Sequence, residues 1–124
     1  MKKITILISI GLLTLYILVS FTIQQSEIVG TWVSNNDTLW KISFSSNGIR
    51  KDYYENVLTD TYNYVISNNC GSQILTNELF IKTKDSLNET SCDVLNGIHN
   101  EPSTGTTTLS ITSESGKLYL FTKQ

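Results

Sequence analysis

Alanine is absent from this chain of 124 residues, and with it the residue of highest intrinsic helix propensity. Proline occurs once, histidine once and cysteine twice. A single His99 and no CxxC pair exclude a tetrahedral zinc site, so no metal is expected. Seven scattered glycines form no phosphate-cradling loop, the EF-hand pattern is missing, and no cofactor is expected. Basic residues are also scarce, at 9 against 11 acids. Setting aside Lys2 and Lys3 leaves seven against eleven, an acidic body with no basic stripe for nucleic acid. Catalytic groups do not assemble either. His99 reads as a strand end entering a loop, with no nucleophile elbow near it. Asp52 with Glu55, and Glu89 with Asp93, read as solvated strand faces or turns, with no cleft between paired carboxylates. The expectation is a protein that is not an enzyme.

What the sequence does have is one long apolar run. Met1-Lys2-Lys3 precedes an uncharged stretch, Ile4 to Ile23. This reads as a secretory signal cleaved after Thr22, or as an uncleaved N-terminal anchor, since about 20 apolar residues span a bilayer. No cysteine lies near its end, which excludes a lipid anchor of the lipobox type. Either reading puts residues 23–124 outside the cytoplasm, periplasmic or secreted, with membrane contact only through residues 1–22. That remainder is one domain, expected to be a monomer. In an oxidising compartment Cys70 and Cys92 are expected to pair, which stabilises a small core by roughly 3 kcal/mol through loop-closure entropy. The sequons at Asn36 and Asn88 read as polar turns.

The exported part reads as short strands divided by turn residues. The candidates are Glu27–Ser34, Thr38–Ser45, Ile49–Val57, Asp60–Ser67, Leu79–Lys84, Thr90–His99, Thr106–Thr112 and Lys117–Lys123. Trp40, Ile42 and Phe44 alternate onto one face of the second, and Tyr62, Tyr64 and Ile66 onto one face of the fourth. Ser46-Asn47-Gly48 signals a tight hairpin. Asn68–Gly71 reads as a break, Asn100–Gly105 as a loop and Ser113–Gly116 as a hairpin loop. No sustained 3.6-residue period predicts a helix. Eight antiparallel strands in a meander avoid bare edges by closing into an all-β barrel.

Gly30-Thr31-Trp32, a G-x-W at the start of the first strand, resembles the lipocalin (calycin) signature. The layout after it is similar to small bacterial exported lipocalin-like domains. The resemblance implies a small lipocalin-like barrel in which Gly30 lets Trp32 close one end beneath a basic side chain of the last strand, best matched by Lys123. It also implies a small hydrophobic ligand, for which Trp40, Phe44, Tyr62 and Tyr64 are the candidate lining; alternatively these rings simply fill the interior. A protein-binding barrel is the other reading. Small exported barrels with one disulfide and G-x-W resemble bacterial inhibitors of proteases or lysozyme, which insert a terminal segment or loop into an exported enzyme. Residues 23–28 or Asn100–Gly105 would then make the contact.

Overall fold

A computed structural model describes residues 26–124; the expected signal or anchor at 1–22 lies outside the described residues. The strands are β1 (Gly30–Ser34), β2 (Trp40–Phe44), β3 (Ile49–Tyr54), β4 (Val57–Ser67), β5 (Asn69–Cys70), β6 (Gln73–Ile74), β7 (Leu79–Lys84), β8 (Thr90–Glu101), β9 (Thr106–Thr112) and β10 (Leu118–Lys123). Eight of them close a barrel in the order β1-β10-β9-β8-β7-β4-β3-β2, and β5 with β6 forms a separate two-stranded ribbon. Every pairing is antiparallel. The all-β meander expected from the alternation is therefore the fold.

Strand alternation sends one residue in two to the interior. Ile42 and Phe44 of β2, Tyr64 of β4, Ile81 of β7, Leu95 of β8, Leu109 and Ile111 of β9 and Phe121 of β10 meet there with Trp32 and Ile28. The floor is built around Trp32, which is wholly buried. Its indole N–H donates to the Ile28 carbonyl at 2.7 Å, and the Lys123 ammonium stands 5.4 Å from its ring centroid. Gly30 is held at φ 138°. A Cβ there would come within 2.8 Å of Lys123 Cε on a backbone conformation that side chains rarely adopt, so glycine suits the position where the lysine stem crosses.

Several boundaries differ from the sequence reading, among them β2, which is Trp40–Phe44 rather than Thr38–Ser45, and β4, which starts at Val57 rather than Asp60. Residues 26–28 form a helical turn and not the start of β1, because Ile28 tucks its side chain into the floor and its carbonyl caps Trp32. The third strand ends at Tyr54, not Val57: Glu55 and Asn56 carry φ 51° and 65° and make the two-residue turn. Positive φ at both centres is the hairpin geometry that matches strand twist, reached here without a glycine. β8 runs to Glu101, shortening the proline loop. The break at Asn68–Gly71 is the β5–β6 ribbon, turned by Gly71 at φ 60°.

Cys70 and Cys92 form the disulfide, which fits an oxidising environment. Cys92 lies opposite Lys82 on the outer face of β7–β8, while Ile81 points inward. The bond therefore fastens the β5–β6 ribbon to the outside of the wall. Phe80, outward by the same alternation, is only 3% exposed. Replacing both cysteines (C70S/C92S) should lower unfolding stability by about 3 kcal/mol and uncover Phe80. Urea unfolding with an apolar dye reads both, and an unchanged midpoint would contradict the account.

Candidate functional site

The interior is not uniformly apolar. Arg50 and Asp52 alternate inward on β3 and are each 8% exposed. Arg50 Nε and Nη2 donate to the two Asp52 carboxylate oxygens at 2.8 and 3.0 Å. Arg50 Nη1 also stands 3.8 Å from Asp93 Oδ2 on β8. In the sheet β4 and β7 lie between β3 and β8, so the guanidinium reaches across the barrel. Tyr62 and Phe44, its neighbours on β4 and β2, present their rings 5.4 and 5.8 Å from the Arg50 guanidinium carbon. Asp93 Oδ1 accepts from the Glu114 backbone N–H at 3.2 Å.

This cluster corrects the reading of Asp52 and Asp93 as solvated acids. With Arg50 they are spaced as the polar half of an alternating strand would be, so composition hid them. The signal was available in the aromatic neighbours: Phe44 and Tyr62 face inward, and the pairing carries Arg50 in with them. Burial raises the Asp93 carboxyl above its ordinary range, opposed by the Arg50 charge and the Glu114 N–H. Burial also raises Tyr62, with Asp60 and Asp52 acting in the same direction.

The four candidate lining residues divide by depth. Phe44 and Tyr64 pack edge to face, centroids 5.0 Å apart, and the Tyr64 hydroxyl donates to the Ser45 carbonyl at 2.6 Å. Exposures of 1% and 2% leave no water-sized space against either ring. Trp40 and Tyr62 are half-buried. Trp40 stacks edge-on against Tyr119 and Phe121 at the end opposite the floor. Gly30, Trp32 and Lys123 belong to the floor. His99 is exposed, with Nε2 at 3.5 Å from Glu101 Oε2. Among the described residues no group of three or more His, Cys, Asp or Glu could hold a metal ion, and no helix is long and apolar enough to cross a membrane.

The β3–β4 hairpin is the feature that the sequence reading missed. Residues 54–61 are all exposed. Consecutive residues of a strand point to opposite faces, so the arm is solvated on both sides and projects past the barrel rim. The register shifts between Asp52 and Tyr53, leaving Thr59 as an extra residue, and the Thr59 hydroxyl donates to the Asp52 carbonyl at 3.1 Å. Such a bulge bends the arm. Its tip is tied down: Glu55 N–H donates to the Leu39 carbonyl at 3.1 Å, and Lys41 Nζ to Asn56 Oδ1 at 3.2 Å. The Asp37 charge raises the Tyr54 phenol. Val57, Leu58, Tyr54 and Leu39 are exposed on and beside this braced arm, Val57 by 64%.

A closed eight-stranded barrel with a tryptophan floor, a buried arginine bridge and one projecting hairpin is thus the class of molecule. No protein-family model, curated protein or solved structure matches the chain.

Two outcomes follow from the arginine bridge. Asp52→Asn leaves Arg50 buried without its main counter-charge and should cost about 3 kcal/mol, whereas replacing both by apolar residues (R50M/D52L) should cost much less. Equal losses in urea unfolding would overturn this. Asp93 holds its proton to higher pH folded than unfolded. Its ionisation therefore weighs against the folded state at neutral pH, and that burden vanishes as pH falls below its titration range. Asp93→Asn should then raise the unfolding midpoint at pH 7, with the gain shrinking toward about pH 3.

Proposed function

We propose that residues 23–124 form an exported, non-enzymatic, lipocalin-like module that recognises a protein partner through the β3–β4 hairpin. The observation that carries this reading is the braced, fully exposed arm with Tyr54, Val57 and Leu58 at its end. An ordered hairpin loses little conformational entropy on binding, and exposed aromatic and aliphatic side chains on a rigid support suit a buried contact. Asp37, Glu55 and Asp60 flank those side chains, which suits a partner whose apolar cleft has basic edges, as in an exported enzyme held by an inhibitor. The two segments suggested by the sequence are less suited. Ile28 is committed to the floor, residues 23–25 lie outside the described residues, and Asn100 and Glu101 are tied into β8.

A small hydrophobic ligand is the second reading. It is favoured by the half-buried Trp40 and Tyr62 and by Trp40's stacking with Tyr119 at the end opposite the floor. The deeper interior supports it less, because Trp32, Ile42, Phe44, Ile81, Leu109 and Phe121 have at most 1% exposure.

Titration with an apolar fluorescent dye, followed through Trp32 and Trp40, separates the readings. The protein-binding reading expects no saturable binding that a fatty acid displaces. It also expects cross-linking on cells to join the protein to one partner, an adduct lost in the V57D/L58D variant while the fold is kept. Stoichiometric dye binding that a fatty acid displaces, with the adduct unchanged in the variant, would overturn it in favour of the ligand.

A further inference from the structure

The outer faces of β2, β3, β4 and β7 carry Lys41, Lys51, Lys82 and Lys84, whereas the acids of these strands are Asp52, which is buried, and Asp60, opposite it on the exposed hairpin arm. The chain as a whole is acidic, so this wall is a local reversal of sign. Among the described residues no lysine forms a salt bridge: the three ion pairs use Arg50 or His99.

A groove of about 290 Å³ lies on this wall, over β4, β7 and β8. Pairing explains its lining. Lys84 sits directly between Asn63 on β4 and Thr90 on β8, and Lys82, two residues back on the same face, sits beside Val65. Among the described residues no hydrogen bond ties up the Lys84 ammonium, the Asn63 amide or the Thr90 hydroxyl, and Lys82 Nζ has only a long contact with Asn69 Oδ1 at 3.5 Å. Two carboxylates adjoin the lining in the chain: Asp85, which follows Lys84 and accepts from the N–H groups of Leu87 and Glu89 in its own turn, and Glu89, which precedes Thr90 and is exposed. Val65 supplies an exposed apolar floor.

From this arrangement we infer that the β4–β7–β8 groove binds a phosphorylated polyol or sugar. Two ammonium groups on one face of a strand, about 7 Å apart at their Cα atoms, straddle a group of roughly tetrahedral charge. The Asn63 amide and Thr90 hydroxyl donate to the oxygens the lysines leave. Lysine serves phosphate as a point charge, whereas planar carboxylates favour the fork of arginine; the one arginine here is committed to Asp52 inside the barrel. The Val65 side chain then receives the carbon skeleton of the polyol. The site is independent of the hairpin and of the partner proposed for it.

The test is an NMR titration of the exported protein with glycerol 3-phosphate, with glycerol and with phosphatidylglycerol vesicles, each in low and high salt. Expected are saturable amide shifts at Asn63, Val65, Lys82, Lys84 and Thr90 with glycerol 3-phosphate, none with glycerol, and weakening in salt. The K82Q/K84Q variant should bind at least about tenfold more weakly, with its other amides unmoved, while V57D/L58D binds normally. Absence of shifts, equal shifts with glycerol, or binding to vesicles without binding to free glycerol 3-phosphate would each overturn the inference. The last result would make the wall a membrane-facing surface.

Discussion

Closure of β1 against β10 is the constraint from which the rest of the structure follows. Eight strands joined edge to edge define an interior just wide enough for side chains, and every second residue of each strand must then share that volume. Large rings and branched aliphatics fill it near the floor, where Trp32 and Ile28 shut the end. The floor holds because three requirements coincide at Trp32. Gly30 has no Cβ, the Ile28 carbonyl meets the indole N–H, and Lys123 arrives from the last strand above the ring.

Further from the floor the same inward positions receive charge. An arginine placed inside a barrel must bring its counter-charge with it, since a buried unpaired guanidinium costs several kcal/mol. Asp52 satisfies that need two residues away on the same strand, and both its oxygens are used. Asp93 is different. It reaches Arg50 only at 3.8 Å and has one backbone donor, so burial outweighs attraction and its carboxyl is raised. The bridge therefore has a firm half on β3 and a weak half on β8.

Much of this fold was legible because β2 and β4 alternate without interruption: Trp40, Ile42 and Phe44 face in, as do Tyr62, Tyr64 and Ile66. The Cys70–Cys92 pair was legible from two cysteines in a chain read as exported to an oxidising compartment. Where reading failed, the residues obeyed a rule that local pattern does not display. Arg50 and Asp52 look like a solvated strand face until the register with Phe44 and Tyr62 is known. The Glu55-Asn56 turn lacks the glycine that marks most such turns, and its true place is set by the Tyr54–Val57 pairing and the braces to Leu39 and Lys41. The β5–β6 ribbon has two residues per strand, too few for any periodicity; the disulfide, not its sequence, holds it.

Near the floor the inward positions are filled by the barrel's own rings, and further along they hold the Arg50 ion pairs. Both proposed recognition features lie on the outer surface, and they have opposite character. The hairpin tip offers exposed carbon flanked by acids, while the β4–β7–β8 wall offers unpaired lysines beside a small apolar floor. They arise from one economy of charge. Apart from Asp60 on the hairpin arm, acids near this wall sit in turns and in the interior, so the hairpin and turn ends become negative while the outer faces of β2, β3, β4 and β7 carry lysine. The disulfide-held ribbon packs against β7, whose outward Phe80 is only 3% exposed beside Lys82. Without this cover the groove would adjoin a bare aromatic ring, and the wall would become sticky where the lysines otherwise make it selective for charge.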